Sequence, residues 1–556
     1  YGVDQDYSKA VEWYQKAATQ GHASAQNNLG VMYQDSYGVN QDYSKAVEWY
    51  QKAANQGVAD AQYNLGIMYR DGYGMGQDYS KAVVWFQKAG LQGNAGAQYN
   101  LGFMYRNGYG VYQDYSKAVE WFQKAALQGN AGAQYNLGFM YRNGYGVDQD
   151  YSKAIEWHQK AAIQGNAGAQ FNLGFMYRYG YGVDQDYPKA VEWYQKAAIQ
   201  GNASAQNNLG VMYQDGYGVN QDYSKAVKWY LKAASQGVAD DQYNLGIMYQ
   251  NGYGVDQDYS KAVKWFQKAA FQRNASAQYN LGFMYRNGYG IDQDYSKAVE
   301  WYQKAAIQGN ASAQNNLGVM YQDGYGVNQD YSKAVEWYQK AASQGVADAQ
   351  YNLGIMYQDG YGMDQDYSKA VEWFQKAALQ GNAGAQYNLG FMYRYGQGVN
   401  QNYSKAVEWY QKAVLQGNAG AQYNLGFMYQ NGYGVDQDYS KAVEWYQRAA
   451  IQRNASAQYN LGVMQQYGHG VNQVYLKAVT WFQKAANHGV TDAQDCFWPS
   501  RHKSFSLNLD HPESDQKLGT VVAEVPKIGT GSEHLKSSPK GHEGDNSINS
   551  GPMANS

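Results

Sequence analysis

Tryptophan returns every thirty-six residues from Trp13 to Trp481, at fourteen positions, with no insertion or deletion between them. A strict period of this size means stacked supersecondary units, each burying its apolar face against its neighbours, and not a globule with one centre. Such arrays present surface to other molecules. A binding scaffold is the first expectation, and any enzyme reading carries the burden of proof.

The period overrides the prior of three or four domains that 556 residues would otherwise suggest. Residues 1–498 read as one array. Residues 499–556, rich in Ser, Gly, Lys, His and Asn and holding five of the six prolines, read as a disordered tail. A formal charge of -3 gives no pull toward nucleic acid or an anionic membrane. No apolar run is long enough to span a bilayer, so direct membrane insertion is not expected. The single cysteine, Cys496, leaves the repeats without a disulfide framework, which favours a reducing compartment or is neutral about it; a cytoplasmic setting is expected. The chain starts at Tyr1, inside a repeat and without Met, and reads as a fragment or processed chain. An upstream signal peptide would place it in the ER lumen instead.

Each unit reads as two helices. In residues 7–19 (helix B), Tyr7, Ala10, Val11, Tyr14, Ala17 and Ala18 form one apolar stripe at i, i+3, i+4, i+7 spacing. Lys9, Glu12 and Lys16 lie opposite, Asp6 is the expected N-cap, and Gly21 the stop signal. Pro188 takes the place of Ser8 in one copy, which only a first turn tolerates. In residues 23–34 (helix A), Ala25, Leu29, Met32 and Tyr33 make the core stripe. Gly30 recurs in all thirteen complete copies. A mid-helix glycine costs about 1 kcal/mol against alanine, so its persistence predicts a close helix–helix approach. Gly38 and its equivalents, with a second glycine in most copies, read as turn residues.

The pattern Ala-x-Ala-Gln-x-x-Leu-Gly-x-x-Tyr, then Gly-x-Gly-Val, then Asp-x-x-Lys-Ala-x-x-Trp-Tyr-x-Lys-Ala-Ala resembles the Sel-1-like repeat over about 490 residues. That family is a cousin of the tetratricopeptide repeat. The resemblance implies an all-α fold, a right-handed superhelical solenoid of about fourteen antiparallel helix pairs. It also implies a non-catalytic adaptor that binds protein segments in a concave groove lined by helix A. Within the family this includes substrate handling in ER-associated degradation ubiquitin-ligase complexes and activation of chitin synthesis. One bacterial branch, with cysteine pairs in each repeat, is linked to β-lactam binding; this chain lacks those cysteines.

On a wheel at 100° per residue, positions 27, 31 and 34 of helix A face away from the core stripe. They vary between copies and read Tyr99-Phe103-Arg106, Tyr135-Phe139-Arg142 and Phe171-Phe175-Arg178 in three consecutive repeats. Aromatics with arginine have the composition of interface hot spots, and arginine holds carboxylates bidentately. These nine residues are the expected partner-binding patch for an extended protein segment. The alternative is that the rings pack on the next helix A and the arginines are solvated. For the tryptophans, sealing the seam between repeats is the expected role.

No constellation for chemistry is legible. None of the eight histidines stands at a metal-ligand spacing, and His158 merely replaces a helix-B tyrosine. The Gly-Tyr-Gly-Val loops lack the Gly-Lys-Ser/Thr ending of a phosphate loop. No cofactor and no catalytic residue are expected, and a cell-wall or β-lactam hydrolase is the least expected class. Glycosylation-type triplets at Asn202, Asn274, Asn310, Asn402 and Asn454 matter only on a secretory route. The partner's identity and the oligomeric state are not encoded in any motif. Toward the C-terminus the pattern decays: Val474 replaces the capping Asp, and Trp498 the helix-A glycine, which predicts that stacking stops there.

Overall fold

In the computed structural model residues 6–495 are described. The expected tail at 499–556, Cys496 and Trp498 lie outside them. The chain divides into two compact units, Tyr1–Trp445 and Tyr446–Ser556. Among the described residues there are twenty-eight helices and no strand, and every helix but the last, Thr491–Asp495, has thirteen residues. Thirteen residues span about 20 Å. No helix among them is long and apolar enough to cross a membrane.

The sequence signals fall where the helices begin and end. Helix B of the first copy is Tyr7–Thr19, and the Asp6 side chain accepts from the backbone N–H of Lys9 at 3.0 Å. Helix A is Ala23–Asp35, one residue beyond the expected end. Where asparagine precedes helix A it caps it, as Asn94 Oδ1 accepts from the Ala97 N–H at 2.8 Å. The A helices end on a left-handed residue such as Gly72, φ 78°, whose N–H returns to the Met68 carbonyl at 2.9 Å.

In unit 1 the repeating body is a hairpin of helix A and the helix B that follows, for example Ala23–Asp35 with Tyr43–Asn55. The recurring glycine sets their separation. A Cβ on Gly30 would lie 2.6 Å from Cε1 of Tyr50, a ring with 0% exposure. The turn glycine at the Gly38 position sets the spacing between hairpins. A Cβ on Gly74 would lie 2.5 Å from the carbonyl carbon of Tyr43, at the start of the preceding helix B.

The tryptophans close the seams. Trp121 completes an apolar cluster with Ala82, Val83, Phe86 and Ala89 of the preceding helix B and Ala97, Leu101 and Met104 of its own helix A. Phe271 meets Trp301 of the next hairpin edge to face, centroids 5.7 Å apart. Trp121 is 8% exposed, whereas Trp13, with no described helix B before it, is 68% exposed. Trp157 and Trp301 are buried likewise, and the other tryptophans from Trp49 to Trp481 are half-buried.

A second seam is polar. Gln62 is buried, donates to the carbonyl of Ala54 in the preceding helix B at 3.1 Å, and accepts from Gln92 Nε2 at 2.7 Å. The same pair recurs as Gln128 on Gln98, Gln164 on Gln134, and onward through Gln416 on Gln386. Each buried amide is thereby satisfied, which removes the penalty of roughly 1–3 kcal/mol for an orphaned polar group.

In unit 2, the described hairpin joins Ala455–Tyr467 and Tyr475–Asn487. A Cβ on Gly462 would lie 2.8 Å from Cε1 of Phe482, which packs with Ala478, Ala485 and Ala493. His488 stands in the glutamine position, its Nδ1 3.1 Å from Gln458 Oε1. Val474 makes no side-chain cap, as the loss of Asp predicts.

Candidate functional site

The nine residues singled out on helix A share one face of unit 1, and all are half-buried. Their helices are Ala95–Asn107, Ala131–Asn143 and Ala167–Tyr179. They are not free of the scaffold. Tyr99 tilts against Phe122 of its own hairpin, centroids 6.1 Å apart, and a Cβ on Gly132 of the next helix A would lie 3.1 Å from its ring. Tyr135 stands in the same relation to Gly168, and Phe171 tilts against Tyr194 at 5.8 Å.

The arginines bridge from one helix A to the next. Arg106 Nη1 donates to Asn136 Oδ1 at 2.5 Å, Arg142 to Asn172 at 2.8 Å, and Arg178 to Asn208 at 2.6 Å. The receiving Asn136 is itself buried and donates to the Gly132 carbonyl at 2.8 Å. Two of the guanidinium groups also lie between aromatic faces. Arg106 Cζ is 5.8 Å from the Phe103 centroid and 5.6 Å from Phe139. Arg142 Cζ is 5.6 Å from Phe139 and 5.5 Å from Phe175. The result is a row, Phe103, Arg106, Phe139, Arg142, Phe175, running across three hairpins. Arg178 departs from it and lies 5.1 Å from the ring of Tyr179. Burial among these rings is the main cause that lowers the Arg142 pKa, while burial raises that of Tyr99 against the opposing pull of Arg106 and Arg70.

Packing on the next helix A, the alternative to partner contact, is therefore present. The arginines, expected in that case to be merely solvated, instead hold a specific amide. Sequence reasoning missed that bond and the glutamine pairs. Both left a signal: Asn at the Asn136 position, and glutamine at both the Gln92 and Gln62 positions, recur with the period. Nothing in a linear reading says that two periodic polar residues thirty apart meet.

Other places offer less. An open depression of about 720 Å³ is lined by the turn glycines Gly108 and Gly110 with Tyr105, Asp114 and Lys117. Its carboxylate caps helix B and pairs with Lys117 at 3.4 Å, so it is already used. Among the described residues no three His, Cys, Asp or Glu side chains gather as a metal site.

The model of the Sel1 repeat matches fourteen segments, running from residues 1–22 and 23–58 to 455–490, each full one a helix A with its following helix B. The chain belongs to the Sel1 repeat family. Among solved structures it is similar to c5321, a protective antigen of uropathogenic Escherichia coli with an SLR fold. The identity is 39%, the match covers 82% of this chain and 99% of that one, and the TM-score is 0.72. It is also similar to a Sel1 repeat protein from Oxalobacter formigenes, at 36% identity over 56% of this chain and 90% of that one, with a TM-score of 0.46. No curated protein matches the sequence. Membership makes the Sel1 hairpin the unit of this solenoid, and a fold typical of protein-interaction scaffolds rather than enzymes.

Proposed function

We propose that this Sel1 solenoid is a non-catalytic scaffold whose A-helix face docks extended segments of other proteins on Tyr99, Phe103, Arg106, Tyr135, Phe139, Arg142, Phe171, Phe175 and Arg178. The observation that carries the reading is the continuous row from Phe103 to Phe175, half-buried and fixed by neighbouring hairpins. Rings and guanidinium groups already held in place lose little rotamer freedom when a partner arrives, which favours binding. Extended peptides suit a row of equal steps, because both repeat along one direction.

The test is selection of binding peptides from a random display library on the intact chain, followed by measurement on variants. Peptides that bind the proposed face lose at least tenfold in affinity with F103A/F139A and with R106A/R142A/R178A. They keep it with L91S/L127S, which alters the exposed residues Leu91 and Leu127 at the ends of B helices. The opposite pattern, loss at Leu91 and Leu127 and none at the phenylalanines and arginines, overturns the reading. Hydrogen exchange on each variant separates lost contacts from a disrupted hairpin.

A further inference from the structure

Arg70 shows what a complete arginine site on this face looks like. Its Nη1 donates to Asn100 Oδ1 at 2.6 Å, the same bridge to the next helix A that Arg106 and Arg142 make. Its other edge holds a carboxylate in a fork. Nε donates to Asp71 Oδ1 at 2.7 Å and Nη2 to Asp71 Oδ2 at 2.8 Å. That carboxylate comes from the next residue in the chain, and the Asp71 side chain is still 28% exposed, so solvent reaches the place it occupies.

Arg106 and Arg142 reproduce only the first half. The following residues are Asn107 and Asn143, and each amide turns back to donate to a helix carbonyl, Phe103 O and Phe139 O, both at 2.8 Å. Among the described residues no carboxylate lies within 4.0 Å of either guanidinium. Both cations sit between phenylalanine faces. There water screens a charge less, and a bidentate carboxylate is held more strongly than at an open surface. Arg178 is set apart, since the Tyr179 ring packs over it.

We propose that the docked segment is acidic and carries two carboxylates three residues apart, one on the Nε/Nη2 edge of Arg106 and one on that of Arg142. This rests on the reading of the A-helix face as a docking surface. The spacing follows from the repeat. Neighbouring A helices lie about one helix diameter apart, ~10 Å. A polyproline-type extended peptide rises about 3.1 Å per residue and returns to the same side every third residue, so side chains i and i+3 project together about 9 Å apart. The Asp71 carboxylate marks where each acid sits.

The probe is a labelled Pro/Ser peptide with two Asp residues three apart, titrated into the intact chain beside two controls. One has Asn in place of both Asp; the other keeps both Asp but sets them two residues apart. The first peptide binds at least tenfold tighter than either control, and salt weakens it. N107D/N143D, which copies the Arg70–Asp71 pair onto both sites, abolishes this preference without loosening the hairpins. R106K/R142K keeps the charge, removes the fork, and lowers affinity about tenfold. D71N frees the Arg70 fork and raises affinity about tenfold for a peptide with three Asp at three-residue spacing. Equal binding of the Asp and Asn peptides, or full binding by N107D/N143D, overturns the inference. If neutral display-selected peptides still bind and still depend on Phe103 and Phe139, the docking face stands and only its acidic preference falls. If those peptides are indifferent to Phe103 and Phe139 as well, both readings fall.

Discussion

Gly102 and Phe122 occupy one another's space: a Cβ on the glycine would lie 2.5 Å from Cδ1 of a ring that is 0% exposed. The pair joins helix A to helix B in one hairpin and recurs with Tyr, Phe or His as the ring, from Gly30 and Tyr50 to Gly390 and Tyr410. Alanine at position 102 gains about 1 kcal/mol of helix propensity. It loses more, because a fully buried ring cannot yield. G102A therefore destabilises its hairpin by about 1–2 kcal/mol net, whereas G76A, with nothing within 4 Å of the new Cβ, stays within about 0.5 kcal/mol of the parent. Long repeat arrays lose strict two-state behaviour, so the readout is hydrogen exchange in residues 95–127.

His158 predicts a weakness toward acid. It fills the ring position opposite Gly138 with 0% exposure, and neither ring nitrogen has a partner. Burial, and then the charge of Arg142, push its pKa down to about 3. In the unfolded chain the imidazole takes its proton near pH 6.5, while the folded hairpin refuses it until about 3. Stability is therefore complete above 6.5 and falls as pH drops, on the order of 2 kcal/mol by pH 5. H158F, with the ring that other repeats use, flattens this slope. Exchange rates in residues 131–163 at pH 7.5 and 5.0 (corrected for intrinsic rates) report it.

Asp241 predicts the reverse. It stands in the core position that is alanine in Ala61 or Ala97, and it is 0% exposed. Asn207 Nδ2 donates to Oδ1 at 2.6 Å, and Oδ2 has no partner. Burial raises its pKa to about 7 against the pull of that hydrogen bond, with Asp240 adding to the rise. The unfolded chain ionises this carboxyl from about pH 3.8, so folding loses stability as pH climbs from there to about 7. D241A stabilises the hairpin at pH 7.5, on the order of 2–4 kcal/mol, and gains far less at pH 4. An equal gain at both values would show that ionisation is not the cause.

Arg273 carries backbone strain that its relatives avoid. Its φ is 67°, while Gly309 and Gly345 at the same turn have φ 91° and 89°. A Cβ at Gly309 or Gly345 meets nothing within 4 Å, so space is not the issue. The left-handed region costs a non-glycine residue about 1–2 kcal/mol. Allowing for the extra freedom glycine has when unfolded, R273G stabilises its turn by roughly 0.5–1 kcal/mol. G309A destabilises by a similar amount, both read by hydrogen exchange in the helices that flank each turn.

Most of the repeat is legible in the linear sequence. The helix bounds, the Asp6 cap, the close approach behind Gly30 and the seam role of the tryptophans all follow from a period and from local residue chemistry. Partnership is not legible there. The wheel places Tyr99, Phe103 and Arg106 away from the core stripe, yet each also packs toward the next hairpin, because a stacked helix has neighbours on more than one side. Asp241 looks like one change in an Ala-Asp-Ala run and becomes a buried half-satisfied carboxylate only once Asn207 is set beside it.

Local sequence dictates the hairpin: turn glycines, caps and apolar stripes act within a dozen residues, where geometry is set by the backbone. Relations between hairpins arise only from packing in three dimensions. There the Gln92–Gln62 bond, the Arg106–Asn136 bridge and the two arginine forks without an acid depend on how far one helix stands from the next. That distance comes from the Gly102–Phe122 and Gly74–Tyr43 contacts acting together, and no single position in the chain records it.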